Sequence, residues 1–174
     1  MDTALADLIA SRLHDVPDYP KPGVMFKDIT PLLADGDAFA QVIRALGELA
    51  PDVDAVAGIE ARGFLLSGAI AGELGCGLIP IRKAGKLPPP TVRRSYTLEY
   101  GEAVIELPVH AAPDKRILLV DDVLATGGTM RAAAELIAES GGTVIALGVL
   151  LELSFLKGRA VLDGLAPLTA LLTV

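Results

Sequence analysis

The segment from Ile117 to Thr129 constrains the fold more than any other part of this chain. It begins with an unbroken apolar run, which is typical of a strand buried on both faces of a parallel sheet. Asp121 and Asp122 follow where that strand is expected to end, and a loop of small residues then leads into a helical pattern from Met130 to Glu139. Because ligands of open α/β sheets bind beyond the carboxyl ends of the strands, this loop is expected to face a ligand.

The composition of the loop predicts a phosphate site. Its five residues are Ala125, Thr126, Gly127, Gly128 and Thr129. The glycines let the backbone approach an anion closely, the threonines add hydroxyl donors, and the following helix offers unpaired N–H groups. The acid pair can accept hydrogen bonds from sugar hydroxyls, directly or through a hydrated divalent cation. A phosphate beside a diol describes a ribose 5-phosphate, whereas an ordinary strand-to-helix turn with capping acids is the alternative.

Composition limits the remaining choices. The 174 residues fit one domain spanning residues 1–174, and the net charge of −7 argues against general nucleic-acid binding. The single cysteine, Cys76, excludes an internal disulfide and a cysteine-rich zinc site. Neither a basic signal peptide nor an apolar stretch long enough to span a bilayer is visible, so we expect a soluble cytoplasmic protein without a membrane partner.

The alternation of apolar patterns predicts an α/β fold. Helices are expected at residues 3–16, after a cap at Asp37, at residues 64–74 and at residues 130–139. Strands are expected at residues 53–59, 78–82, 143–151 and 165–174, with a hairpin of residues 95–100 and 103–107. The proline-rich segment of residues 17–28 is too irregular for a helix or a central strand. It is either a surface crossing or the wall of a pocket for a flat base.

Two further segments concentrate basic side chains near the same sheet edge. The turn from Gly58 to Phe64 carries Arg62, which either pairs with a surface acid or clamps an anion through its planar guanidinium. The segment from Lys83 to Arg94 is basic in an otherwise acidic chain. It is either a solvated hairpin or, as we favour, a mobile loop that folds over the ligand and excludes water.

The strand, the acid pair and A-T-G-G-T together resemble the signature of type I phosphoribosyltransferases, which bind 5-phosphoribosyl 1-pyrophosphate (PRPP). P-x-P-G-V-x-F-x-D-I-T-P-L-L, R-K-x-G-K-L-P and Y-x-L-E-Y-G resemble adenine phosphoribosyltransferases, and G-x-E-A-R-G-F resembles their pyrophosphate loop. The resemblance implies an open, mainly parallel twisted sheet flanked by helices. It adds a small N-terminal hood within residues 1–36, a flexible catalytic loop at residues 83–102 and a non-proline cis peptide near Glu60–Ala61.

The resemblance also implies roles for individual residues. The adenine site would consist of Val24, Met25, Phe26, Lys27 and Val123. The pyrophosphate would meet Arg62, Arg82, Lys83 and Lys86, and the ribose diol would meet Asp121 and Asp122. Glu99 would act as the general acid/base, and Tyr100 would close over the site. Lys27 stands where many members of the family carry Arg, and it keeps the charge without the planar fork.

The implied reaction is Mg²⁺-dependent transfer of the 5-phosphoribosyl group from PRPP to adenine, which gives AMP and pyrophosphate in purine salvage. PRPP would hold most of the Mg²⁺, with no dedicated protein ligand, and the family implies a homodimer. Two alternatives remain open at this point. One is a PRPP-binding regulator of the same fold without turnover, and the other is a phosphoribosyltransferase for another base, such as a 6-oxopurine.

Overall fold

The computed structural model describes residues 3–98 and 101–174 and has an α/β architecture. The first half of the chain contains α1 (Thr3–Ser11), β1 (His14–Pro17), β2 (Met25–Asp28), α2 (Thr30–Ala34), α3 (Gly36–Gly47), β3 (Ala55–Ile59), α4 (Gly63–Leu74) and β4 (Gly77–Lys83). The second half contains β5 (Thr91–Leu98), β6 (Gly101–Pro108), β7 (Arg116–Leu124), α5 (Gly128–Glu139), β8 (Thr143–Glu152), a 3₁₀ turn (Ser154–Leu156), α6 (Gly158–Val161) and β9 (Leu168–Thr173).

Seven strands form the central sheet in the order β5-β6-β4-β3-β7-β8-β9. The neighbours from β4 through β3, β7 and β8 to β9 are parallel, whereas β6 pairs antiparallel with both β4 and β5. The hairpin of β5 and β6 thus extends one edge of a parallel sheet. This arrangement confirms the predicted open, mainly parallel sheet, and it brings the carboxyl ends of β3, β7 and β8 to one edge.

Helices cover both faces of this sheet. Along β7, Ile117 and Leu119 belong to the core that packs against α5, whereas Leu118 and Val120 belong to the core beneath α1, α3 and α4. All four side chains are fully buried. Burying an aliphatic side chain of this size stabilises the fold by roughly 1.5–3 kcal/mol, so the unbroken apolar run anchors both layers.

The prediction of one helix over residues 3–16 is wrong beyond Ser11. Residues His14–Pro17 form β1, which pairs antiparallel with β2 and places Val16 opposite Phe26. Val16 precedes a proline, and that neighbour biases a residue toward extended backbone. The helical spacing of Leu13 and Val16 was therefore outweighed by Pro17 and by pairing with a distant strand. The resulting two-stranded hairpin is the hood.

Smaller differences concern element ends. Asp35, not Asp37, caps α3, because its side chain accepts the Ala38 N–H at 3.1 Å. Strand β7 does not stop before the acid pair but continues to Leu124, where it still pairs with β8. The hairpin strands are longer than expected, and Glu99 and Tyr100 between them lie outside the described residues.

None of the helices within residues 3–98 and 101–174 is long and apolar enough to cross a membrane.

Candidate active site

The predicted phosphate loop lies between β7 and α5 and packs against a turn near the end of the chain. Gly127 has a left-handed φ of 83° and is the N-cap residue of α5. A Cβ atom at Gly127 would lie 2.4 Å from the Gly158 carbonyl oxygen, and one at Gly158 would lie 2.1 Å from the Ala125 carbonyl oxygen. These contacts leave no space for a side chain at either position. Gly158 therefore helps to define the shape of the loop.

A cavity of about 480 Å³ opens beyond the carboxyl end of β7. It brings together Val24 of the hood, the acid Asp121, the apolar Val123 and four residues of the phosphate loop. Those four residues are Ala125, Thr126, Gly127 and Thr129. The structure thus collects parts of three predicted subsites, for a base, a sugar and a phosphate, around one space.

The cavity is also lined by residues that sequence reasoning missed. They are Pro20, Lys21, Leu124, Met130, Leu153 and Leu156. Leu153 and Leu156 follow β8, which is the parallel neighbour of β7. The rule that ligands meet the carboxyl ends of parallel strands could have identified this pair, because β8 ends at the same sheet edge. Together with Val123 and Val24 they make part of the cavity lining apolar.

The two acids have different surroundings: Asp122 pairs with Arg62, whereas Asp121 lines the cavity. Asp122 is buried, with its Oδ2 atom 2.7 Å from Nη2 of Arg62, and its backbone N–H donates to Oδ1 of Asp121 at 2.9 Å. Asp122 Oδ2 has no aligned hydrogen-bond donor within residues 3–98 and 101–174. The contact with Arg62 is therefore an ion pair, and the oxygen keeps acceptor capacity for another group.

Both carboxyl groups have altered acidity. Burial raises the pKa of Asp121 well above its ordinary value, and the neighbouring charge of Asp122 adds to this effect. Burial also raises the pKa of Asp122, although the Arg62 guanidinium opposes that shift. The pair is therefore costly to ionise in the folded protein, which is common at sites that bind or transform a ligand.

Arg62 connects the acid pair to the hood. Its guanidinium carbon lies 4.9 Å from the centre of the Phe26 ring, and Nη1 donates to the Lys27 carbonyl oxygen at 3.4 Å. Phe26 also meets Tyr19 edge to face, with 5.1 Å between the ring centres. Phe26 and Arg62, which the family resemblance places on adenine and pyrophosphate, thus contact each other and do not line the 480 Å³ cavity.

The other predicted hood residues occupy different positions. Met25 is half exposed and does not line the cavity. Lys27 directs its ammonium group to Asp15 on the paired strand, with distances of 2.7 and 2.8 Å to the two carboxylate oxygens. Lys27 is therefore part of the hairpin itself. Of the five residues expected to bind adenine, Val24 and Val123 line the cavity.

The turn after β3 joins the acid pair to the basic segment. The expected cis peptide between Glu60 and Ala61 is confirmed. Glu60 Oε2 accepts the Lys83 N–H at 2.9 Å and lies 3.5 Å from Arg82 Nε, and the Lys83 hydrogen bond lowers the pKa of Glu60 most. A Cβ atom at Gly63 would lie 2.9 Å from Asp121 Oδ1, so this turn packs closely against Asp121 of the acid pair.

The basic side chains lie beside this turn rather than in the cavity. Arg82 Nη1 donates to the Lys86 carbonyl oxygen at 3.1 Å, and the side chains of Lys83 and Lys86 are exposed. Gly128 begins α5 next to the loop residues that do line the cavity. Within the described residues, no three His, Cys, Asp or Glu side chains are grouped so as to hold a metal ion.

Comparison with known proteins agrees with this arrangement. The phosphoribosyl transferase domain family matches residues 25–160. The adenine phosphoribosyltransferase of Thermobifida fusca is 56% identical over 162 residues, which cover 91% of this chain and 92% of that protein. The crystal structure of adenine phosphoribosyltransferase from Rhodothermus marinus superposes with a TM-score of 0.94 at 40% identity, covering 99% of this chain and 100% of that one.

A third relative has been solved with ligands bound. It is the adenine phosphoribosyltransferase of Saccharomyces cerevisiae, complexed with D-2,5-dideoxy-2,5-imino-altritol 1,6-bisphosphate and adenine. It superposes with a TM-score of 0.90 at 36% identity and covers 97% of this chain and 99% of that one. The sequence identity, the coverage and the fold all relate this chain to the same family. The chain therefore belongs to the adenine phosphoribosyltransferase family of phosphoribosyl transferase domains.

Proposed function

We propose that this protein transfers the 5-phosphoribosyl group of PRPP to adenine and releases AMP and pyrophosphate, a reaction of purine salvage. The bond between the anomeric carbon and the pyrophosphate oxygen breaks, a bond from that carbon to an adenine ring nitrogen forms, and a proton leaves the imidazole side of adenine. One observation carries the proposal. A single cavity is lined by Val24 of the hood, by apolar residues at and after the ends of β7 and β8, by Asp121 and by four residues of the phosphate loop.

The polar residues at and beside the cavity suit a ribosyl phosphate. The N-terminus of α5 and the loop of residues 125–129 offer N–H and hydroxyl donors to the 5-phosphate. Asp122 Oδ2, which is buried beside Arg62 without an aligned donor, can accept a ribose hydroxyl. The 5-phosphate is remote from the reacting anomeric carbon. Binding it orients the sugar, so this binding energy lowers the barrier to the transfer reaction.

The apolar residues that line the cavity suit a purine. Val24 on the hood lines the same cavity as Val123, Leu153 and Leu156, and apolar surfaces of this kind bury the faces of a flat ring. The yeast relative was solved with adenine, which supports the same base here. Met25, Phe26 and Lys27 would complete this site after the hood adjusts to the ligand. Side chains commonly change rotamer when a ligand binds, even where the backbone moves little.

The pyrophosphate would meet the basic side chains of Arg62, Arg82, Lys83 and Lys86. As it departs, positive charge develops on the ribose ring, as in the oxocarbenium-like state of glycoside hydrolysis. Mg²⁺, when bound with PRPP, would neutralise part of the charge on the leaving group. The carboxylate oxygens of Asp121 and Asp122 are hard donors suited to this ion or to its water shell, while PRPP would supply most of its ligands.

The assay that tests the proposal measures nucleotide formation from PRPP with adenine, hypoxanthine, guanine or orotate. AMP should form with adenine and Mg²⁺, and chelation by EDTA should abolish turnover. Preferred use of hypoxanthine or guanine would show that the substrate is another purine and not adenine. PRPP binding without any nucleotide product would instead favour a regulator.

Glu99 is proposed as the general acid/base and Tyr100 as a residue that closes over the bound ligand, both from the family resemblance. Replacing Glu99 with Leu should lower kcat by about 10²–10⁴-fold with a much smaller effect on PRPP binding, because a proton-transfer group acts mainly in the transition state. Steady-state kinetics at saturating Mg²⁺ measures both constants. An unchanged kcat would remove Glu99 from the mechanism.

The family resemblance also supports a single domain over residues 1–174, a homodimer and a cytoplasmic location. Sedimentation equilibrium of the purified protein tests the dimer, and a mass equal to one chain would contradict it. Imaging of a fluorescent fusion in the source cells tests the location.

A further inference from the structure

Among the residues whose burial the structure describes, the most deeply buried carboxylate outside the cavity belongs to Glu106, toward the C-terminal end of β6. Its side chain is fully buried, although β6 lies near the edge of the sheet. A carboxylate is rarely buried in a protein unless hydrogen bonds or an opposite charge compensate for the lost hydration. The donors around Glu106 therefore indicate what this residue does.

Those donors come mainly from the backbone of the basic segment. Glu106 Oε1 accepts the N–H groups of Lys86 and Leu87, each at 2.8 Å. Oε2 accepts Arg93 Nε at 3.0 Å from the neighbouring strand β5. One oxygen thus binds the segment between β4 and β5, and the other is held by an ion pair. Charge-assisted hydrogen bonds of this kind are stronger than those between neutral groups.

The same peptide is also held from its other side. Arg82 Nη1 donates to the Lys86 carbonyl oxygen at 3.1 Å, so Glu106 and Arg82 bind the N–H and the C=O of one residue. Arg82 lies 3.5 Å from Glu60, which accepts the Lys83 N–H. A continuous series of polar contacts therefore runs from the turn with the cis peptide to the basic segment.

Glu106 remains ionised in this environment. Burial raises its pKa, but the N–H groups of Leu87, Lys86 and Gly85 and the charge of Arg93 together outweigh burial and leave the pKa below its ordinary value. An ionised acceptor is thus available to the segment. The exposed side chains of Lys83 and Lys86 project from a backbone that is bound at both ends.

We propose that Glu106 is a positioning residue that holds the backbone of Lys86 and Leu87, so that Lys83 and Lys86 meet the pyrophosphate of PRPP. The identity of the ligand in this inference rests on the proposed function. The anchoring of the segment rests on the hydrogen bonds alone. Glu106 does not line the cavity, so it acts through the segment and not on the substrate. A preorganised segment binds an anion more tightly, because less ordering remains to be done on binding.

Two variants test the anchoring. Glu106→Ala removes both acceptors, whereas Glu106→Gln keeps one oxygen but places an amide N–H₂ group near donors. Arg94→Gln is the matched control, because Arg94 lies next to Arg93 on β5 but pairs with Glu135 and Glu139 on α5. Hydrogen exchange of the Lys86 and Leu87 amides, measured by NMR, reports the anchoring without reference to activity. Exchange should accelerate about tenfold or more in Glu106→Ala and less in Glu106→Gln.

Kinetics then tests the consequence for the ligand. In both Glu106 variants the KM for PRPP should rise, by about tenfold in Glu106→Ala, while the KM for adenine changes less than about twofold. Arg94→Gln should leave both constants and both amides as in the unchanged protein. If Glu106→Ala does not fold, Glu106→Gln alone decides the question by the same two measurements.

The outcomes separate the two hypotheses. Unchanged exchange of the two amides would overturn the anchoring, and equal changes in both KM values would show a general structural role instead. Absence of AMP formation by the unchanged protein would reject the proposed function. In that case the KM comparison is replaced by the affinity for inorganic pyrophosphate, which should fall in the Glu106 variants if the positioning holds.

Discussion

Gly158 illustrates how a single residue far along the chain shapes the phosphate loop. Its Cα approaches the Ala125 carbonyl so closely that any side chain would collide with the loop. Gly158 also follows Lys157, which has a left-handed φ of 54° and ends the 3₁₀ turn. The phosphate loop is therefore bounded on one side by the backbone of Gly158 and by Val161, and its shape depends on two glycines that contact each other.

Replacing Gly158 with Ala should displace the loop. The added methyl group has to push against the backbone of Ala125, so we expect a loss of about 1–3 kcal/mol in the free energy of unfolding. A shift of about 1 Å in the loop should reduce kcat/KM for PRPP by roughly 10²-fold. Denaturant unfolding and steady-state kinetics measure the two effects. Gly72→Ala is the control, since a Cβ atom there meets open space on α4.

The acidity of Asp121 predicts a pH-dependent stability. Above its ordinary pKa of 3.8 this residue ionises in the unfolded chain, whereas its raised pKa keeps the proton bound in the folded protein. The folded state then binds more protons, so stability falls as the pH rises until the folded pKa is passed. Burial of Asp121 thus costs stability at neutral pH.

Asp121→Asn should remove this cost. The melting temperature of the variant relative to the unchanged protein should increase from pH 4 toward neutral pH, because Asn cannot ionise. Scanning calorimetry over this range measures the difference, and Asp7→Asn on the exposed face of α1 serves as the control. A difference that is independent of pH would contradict the assignment. PRPP binding should weaken in the same variant.

At the scale of elements, the hood is a two-stranded hairpin closed by its own ion pair. Lys27 and Asp15 face each other across the register of β1 and β2. Replacing either residue with Ala should destabilise the hairpin slightly, with a coupling energy of about 0.2–1 kcal/mol in a double-mutant cycle. Both single variants should raise the KM for adenine by a similar factor. Loss of turnover in Lys27→Ala alone would instead assign Lys27 a direct contact with the ligand.

Element types could be predicted from the sequence wherever periodicity and length agreed. The apolar run of β7 and the glycine stop of α4 at Gly75 are local signals, and the structure contains both. The end of α1 was missed, because extension of residues 14–17 depends on pairing with residues 25–28. Local patterns do not contain such pairings.

At the scale of the whole molecule, the parallel sheet explains why distant motifs meet. The turns after β3 and β7 and the residues after β8 all lie at the carboxyl edge, so a cavity there contacts several segments at once. The position of the loop of residues 125–129 and of the acids could therefore be predicted from the strand pattern, whereas the cis peptide between Glu60 and Ala61 was expected from the family resemblance. The contact of Gly158 with Ala125 and that of Glu106 with Lys86 could not, because nothing near either residue in the chain indicates its partner.

A structure of the protein with AMP bound tests the central claim most directly. The account predicts that the phosphate accepts hydrogen bonds from the backbone of residues 125–129, that the ribose hydroxyls face Asp121 and Asp122, and that adenine lies between Val24 and Val123. A phosphate bound elsewhere, or a base outside the space beneath the hood, would contradict it.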